Sequence, residues 1–133
     1  MEKIFVDTSA IYALISTRDQ NLISAVAAWE GALQHGDLLF TNNYVLVECF
    51  SLIQNRLGVE FARALQTNIV PFLQIDWISE QGHSSIVNDV LTANRRQLSL
   101  VDCSCFESMR RMGIDKVFSF DDHFREQGFE VIP

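Results

Sequence analysis

The chain has 133 residues, 48% of them apolar and 20% charged, which suits one globular domain over residues 1–133 with a full core and leaves no room for a second. A formal net charge of -7 argues against a passive polyanion-binding surface, because nonspecific nucleic-acid affinity comes mainly from cation–phosphate contacts. It does not exclude a nucleic-acid enzyme whose acids are gathered where they can hold metal ions. The chain lacks an uninterrupted apolar run of about 18 residues, and its N-terminus lacks a signal peptide's basic region and longer apolar core. We therefore expect a cytoplasmic protein with no membrane segment. Cys49, Cys103 and Cys105 lie in apolar segments without a paired-ligand spacing, and are read as buried free thiols.

In chain order, Lys3-Ile4-Phe5-Val6 is a short run of β-formers ending in the carboxylate of Asp7, and helix-forming Ala10-Ile11-Tyr12-Ala13-Leu14-Ile15 follows two hydroxyl residues. This predicts strand, turn, helix. Asn21 to His35 carries Leu22, Val26, Trp29 and Leu33 at helical spacing, with Gly36 as a stop. Leu38 to Thr41 is a second strand. Asn42-Asn43 then caps an apolar segment, Tyr44 to Ile53, read as a helix buried all round and ending near Gly58, with Glu48 its only charge. Val59 to Ile69 predicts an amphipathic helix closed by Pro71, and Phe72 to Trp77 a third strand. Ser79 with Glu80 opens a helix through Ile86, Val87, Val90 and Leu91 that ends near Asn94. Ser99 to Asp102 matches a capping box and introduces a helix with Phe106, Met109 and Met112, stopped by Gly113. Lys116 to Phe120 is a fourth strand, Asp121 to Phe124 a strand-to-helix turn, and Phe129 to Ile132 a fifth strand. With no repeat, low-complexity segment or linker, alternating strands and helices predict a mainly parallel sheet covered on both faces.

Four carboxylates stand out by position. Asp7 and Asp121 end strands, and right-handed crossovers place the carboxyl ends of parallel strands on one edge, where ligands bind. Asp102 sits in the first turn of a helix that can pack beside that edge. Glu48 lies in an apolar segment with no basic residue within one helical turn, so either a distant arginine pairs with it or a cation binds there. The plainer readings stand beside these: Asp7 and Asp121 or Asp122 as helix caps, and Asp102 as the acid of a capping box. Converging carboxylates repel unless a cation relieves them, and oxygen donors without a zinc-type His/Cys set suit Mg²⁺ or Mn²⁺. Mg²⁺ commonly binds through one or two carboxylates plus substrate phosphate, which points to hydrolysis of a nucleic-acid backbone.

Val6 to Ala10, Asn43 to Glu48, Leu98 to Cys103 and Phe118 to Phe124 together resemble the four acidic motifs of PIN-domain nucleases, in order and over the whole chain. Within that family the chain is similar to the small VapC-type toxins of prokaryotic toxin–antitoxin pairs. The resemblance implies a three-layer α/β/α sandwich with a five-stranded, mainly parallel sheet. It further implies Mg²⁺- or Mn²⁺-dependent endoribonuclease activity, a homodimer, and inhibition by a cognate antitoxin. It makes Asp7 and Asp102 the principal metal ligands, has Glu48 complete or orient the shell, and has Asp121 bind metal or position the attacking water. Asp121 is favoured over Asp122 because it aligns with the acid two places before His123-Phe124. Ser9 and Ser119 correspond to hydroxyls that support the carboxylates, and His123 is read as a packing or capping residue. For RNA, Arg95 and Arg96 are the candidate phosphate contacts, with Arg56 and Arg63 beside the Glu48 helix, while Arg110 and Arg111 read as a solvated face. Two rival classes are an aspartyl-phosphate phosphatase or phosphotransferase, which usually wants an acid where Ser9 stands, and a non-catalytic α/β binding module, which needs Glu48 paired with an arginine.

Overall fold

A computed structural model describes residues 1–133. The chain runs β1 (Lys3–Val6), α1 (Thr8–Ile15), α2 (Leu22–Gln34), β2 (Leu38–Asn42), α3 (Asn43–Leu57), α4 (Val59–Ala64), β3 (Leu73–Asp76), α5 (Glu80–Ala93), α6 (Leu100–Met112), β4 (Lys116–Phe118), α7 (His123–Glu126) and β5 (Glu130–Ile132). The five strands form one all-parallel sheet in the order β3-β2-β1-β4-β5. β1 is its centre: Phe5 lies level with Phe40 on one side and Val117 on the other. A parallel strand covered on both faces has to be apolar throughout, and Ile4, Phe5 and Val6 are all buried. Right-handed crossovers place α1 to α4 on one face and α5 to α7 on the other. The chain leaves β1 in both directions, to β2 and β3 and later to β4 and β5. The topological switch therefore falls between β1 and β4, where a crevice opens beyond the strand ends.

Three expectations are corrected. The helix expected over 59–69 runs as α4 and then widens into a π turn at Leu65–Ile69, and a 3-10 turn at Val70–Phe72 follows it. The Thr67 hydroxyl donates back to the Arg63 carbonyl at 2.9 Å, which competes with the helical ladder, and Pro71 has no N–H to continue it. The fourth strand ends at Phe118 rather than Phe120, because the N–H groups of Phe120 and Asp121 donate to the hydroxyls of Ser9 and Ser119, each at 2.9 Å, instead of to a neighbouring strand. Finally, α3 is not buried all round. Val45, Leu46, Cys49 and Ile53 face the core, whereas Val47 is 67% exposed, so this helix lies in an outer layer and keeps an uncovered apolar strip.

A buried polar cluster fixes the end of β2. Asn42, fully buried, caps α3 by accepting from the Val45 N–H at 2.9 Å. Its amide donates to the hydroxyls of Ser104 (3.2 Å) and Ser108 (3.1 Å) on α6. Both hydroxyls spend their own protons elsewhere, Ser104 on the Val101 carbonyl and Ser108 on the Asp76 carboxylate. They therefore need a donor at Asn42, and one side chain ties the start of α3 to the middle of α6. Asn42→Ala should cost about 2–3 kcal/mol, the sum of a cap and two buried hydrogen bonds. Asn42→Asp, which keeps the cap and loses the donors, should be destabilised at least as much in urea unfolding; an Asp variant as stable as wild type would contradict this role.

Candidate active site

Asp7 follows the last residue of β1 and caps α1, so the capping reading of this residue holds. Its Oδ1 accepts from the Ala10 N–H (3.1 Å) and the Ser9 hydroxyl (2.8 Å), and its Oδ2 from the Ser119 hydroxyl (2.8 Å). Ser9 and Ser119 each accept a backbone N–H from the segment after β4, which leaves their protons for the carboxylate. The side chain is nonetheless almost sealed from water, 6% exposed. Burial, only partly offset by these hydrogen bonds and reinforced by the charge of Asp121, pushes its pKa up to about 6. Ionised Asp7 is therefore held under strain at neutral pH.

Asp121 sits where β4 turns toward α7. Its Oδ1 accepts from the His123 N–H at 2.9 Å, and the His123 ring folds back so that Nδ1 lies 3.3 Å from Asp121 and 3.4 Å from Asp102. That nitrogen is buried without a hydrogen-bond partner. The sequence reads His123 as a packing or capping residue; the structure places its ring between two acids, and its position two residues after Asp121 was the available signal. Asp102 forms the expected capping box, accepting from the Ser99 N–H at 3.1 Å. One oxygen or nitrogen each from Asp102, Asp121 and His123 lie within 4.8 Å of one another.

One cleft is lined by Asp7, Ser9, Glu48, Asp102 and Asp121, with Arg56 at its edge. Elements far apart in sequence, β1, α3, α6 and the turn after β4, thus bring all four predicted acids together. Glu48 is partly exposed rather than embedded, and none of the ion pairs involves it. Convergence is felt by the thiol beneath: burial first, then the charges of Asp7 and Asp102, push Cys105 well above the ordinary thiol range, with Glu48 adding to it. Two further lining residues, Asp19 and Tyr12, carry no signal in the sequence that points to the cleft. Asp19 accepts from the Asn21 N–H at 2.8 Å, which reads only as turn chemistry before α2, and Tyr12 reads as part of an apolar helix.

Other predicted residues lie elsewhere. Asp122 does not line the cleft and pairs with Arg125 at 3.0 Å. Arg95 pairs with Glu126 at 3.2 Å, and neither it nor Arg96 lines the cleft. Arg63 pairs with Glu60. Arg111, expected on a solvated face, bridges Asp76 and Glu107, while Arg110 lies over the rings of Phe106 and Phe129.

The donor set fits a hard divalent cation. Carboxylate oxygens dominate, the orphaned Nδ1 of His123 faces two of them, Glu48 has no basic partner, and Asp7 is ionised only against its environment. A cation in the cleft would relieve all three conditions.

The comparisons with known proteins bear on this geometry. The chain is 29% identical over 132 residues, covering 98% of both chains, to a Mycobacterium tuberculosis protein named 23S rRNA-specific endonuclease VapC20. It is 21% identical over 128 residues to a protein of Aquifex aeolicus named VapC ribonuclease, covering 96% of this chain and 93% of that one. The crystal structure of Mycobacterium tuberculosis VapC20, described as a Sarcin-Ricin loop cleaving toxin, superposes with a TM-score of 0.86 over 98% of this chain and 99% of that one. FitAcB from Neisseria gonorrhoeae shares the fold alone, with a TM-score of 0.70 at 14% identity over 98% of this chain and 96% of that one. The family described as PIN domain matches residues 4–130, almost the whole of the sheet and every acid of the cleft, and the chain belongs to it.

Proposed function

We propose that residues 1–133 act as a single-domain, divalent-metal-dependent endoribonuclease, the toxin of a toxin–antitoxin pair. The observation that carries the reading is the meeting of Asp7, Glu48, Asp102 and Asp121 in one cleft with no arginine or lysine neutralising Glu48. A non-catalytic module would have no use for such a cluster and would pair that glutamate. The full-length likeness to proteins named as VapC ribonucleases supports RNA as the substrate, and the relative named for 23S rRNA supports a structured ribosomal RNA as the form of it.

In this reading Asp7 and Asp102 are the principal ligands of Mg²⁺ or Mn²⁺, Glu48 completes or orients the shell, and Asp121 binds metal or aligns the attacking water. A cation held by these residues would supply positive charge to acidify a water and to stabilise the departing oxygen of the phosphodiester. The chain's own residues do the rest. Ser9 and Ser119 fix both oxygens of Asp7, so the carboxylate meets its ligand in one orientation. The Ser119–Asp121–His123 run of hydrogen bonds holds the fourth acid against the first. The apolar groove beside Glu48, formed by Tyr44, Val47, His83, Leu100 and Val101, supports a protein partner next to the cleft, either a second copy in a homodimer or the cognate antitoxin. No helix is long and apolar enough to cross a membrane, in keeping with action in the cytoplasm.

Two outcomes follow. Purified protein should cleave ribosomal RNA with Mn²⁺ or Mg²⁺ and stop on adding EDTA. In that assay Ser119→Ala should lower kcat/KM by about 10–100-fold through the misoriented Asp7, and Asp102→Asn should lower it further. Cleavage that persists in EDTA, or an Asp102→Asn enzyme of full activity, would contradict the reading. The second outcome concerns stability without metal. The folded pKa of Asp7 is raised from 3.8 to about 6, so its protonated form favours the fold at low pH, and that advantage is lost as pH rises through about 6. Metal-free Asp7→Asn should therefore unfold at higher urea than wild type near pH 7.5, by up to about 3 kcal/mol, with the gap closing toward pH 4. A gap that does not change with pH would show that Asp7 ionisation is not the cause.

A further inference from the structure

The cleft that is to receive RNA is lined by five carboxylates, Asp7, Asp19, Glu48, Asp102 and Asp121, and by a single cation, Arg56. Glu48, Leu52 and Arg56 recur at four-residue spacing, so α3 presents them as one row along the cleft wall. At about 1.5 Å of rise per residue, the two turns between Glu48 and Arg56 set the guanidinium about 12 Å along the helix from the acidic end.

Arg56 is the one arginine that lines the cleft, and two features of its surroundings bear on its role. It makes no ion pair, although Glu48 and Asp19 line the same cleft. Its Cζ instead lies 5.7 Å from the centre of the Tyr12 ring, within the range of a cation–π contact. An aromatic face holds the guanidinium by its plane and leaves its N–H fork unspent, and that fork matches the oxygens of a phosphate. A carboxylate partner would have consumed the same donors. Tyr12 is itself carried by α1, the helix that Asp7 caps, so the seat of the arginine and the first acid of the cleft belong to one rigid element.

We propose that Arg56, seated on Tyr12, grips a non-scissile phosphate of the RNA, farther along the strand than the phosphodiester at the acids. Resting on the nuclease reading, the assignment moves the phosphate contact from Arg95 and Arg96, outside the cleft, to Arg56 within it. It also gives an acidic protein a way to orient a polyanion: the row on α3 fixes the strand's direction, with one phosphate on Arg56 and another delivered to the carboxylates.

The test is fluorescence anisotropy of a short labelled single-stranded RNA, with Ca²⁺ in place of Mn²⁺, across a series of salt concentrations. Arg56→Gln should weaken binding about tenfold or more, as expected for loss of a charge-assisted contact, and should reduce the salt slope by about 0.7. Arg63→Gln, which removes an arginine already paired with Glu60, should leave affinity unchanged, and Mn²⁺ binding followed by electron paramagnetic resonance should be the same in wild type and Arg56→Gln. Equal RNA affinity in wild type and Arg56→Gln, or an equal loss in Arg63→Gln, would overturn the assignment. If wild type neither binds nor cleaves RNA, the nuclease reading itself falls and takes this one with it.

Discussion

The structure turns on a carboxylate that has to be charged where charge is disfavoured. Asp7 lies at the end of the central strand, almost sealed from water and pushed up to about 6 by that burial, with Asp121 adding repulsion. Three hydrogen bonds hold it, yet they do not cancel the cost of its position. Where several acids must share one cleft, each raises the free energy of ionising the next. A divalent cation is the simplest species that reverses the sign of all these interactions at once.

The fold supplies that cleft through topology. β1 is flanked by β2 and β4, so the chain reaches its carboxyl edge twice, once at Asp7 and again more than a hundred residues later at Ser119 and Asp121. Ser119 spends its hydroxyl proton on Asp7 and takes the Asp121 N–H, which joins the two passes by hydrogen bonds. Asn42 does the same for the other wall: by capping α3 and donating to two serines of α6, it fixes the helices that carry Glu48 and Asp102 against each other. The acids are thus placed by hydrogen bonds that join elements far apart in sequence.

Much of this was legible in the sequence, where local signals and tertiary demands agree. Lys3 to Val6 followed by Asp7 reads as a strand ending at a polar position, and both that strand and the Ser99–Asp102 capping box appear as read. The parts that were not legible depend on what lies across space. The helix over 59–69 widens to π geometry where Thr67 turns its hydroxyl onto its own backbone, and Pro71 withholds an N–H beyond it, a competition that periodicity does not register. The apolar run around Glu48 looked buried on every side, but apolar residues on an exposed face and in a core have the same spelling; Val47 is exposed while Cys49 is not. Asp19 and Tyr12 enter the cleft through the turn before α2 and through one side of α1, where no spacing rule applies. Of the arginines read as candidates for RNA, only Arg56 lines the cleft, whereas Arg63, Arg95 and Arg96 lie outside it.

The most direct measurement is calorimetric titration of the metal-free protein with Mn²⁺ near pH 6, repeated in buffers of different ionisation enthalpy. If a bound cation completes the ionisation of Asp7, binding near pH 6 is saturable and releases protons, the release fades as the pH is raised well above 6, and Asp7→Asn abolishes it. Mn²⁺ that fails to bind saturably, or that binds with the same proton release after Asp7→Asn, would contradict the account.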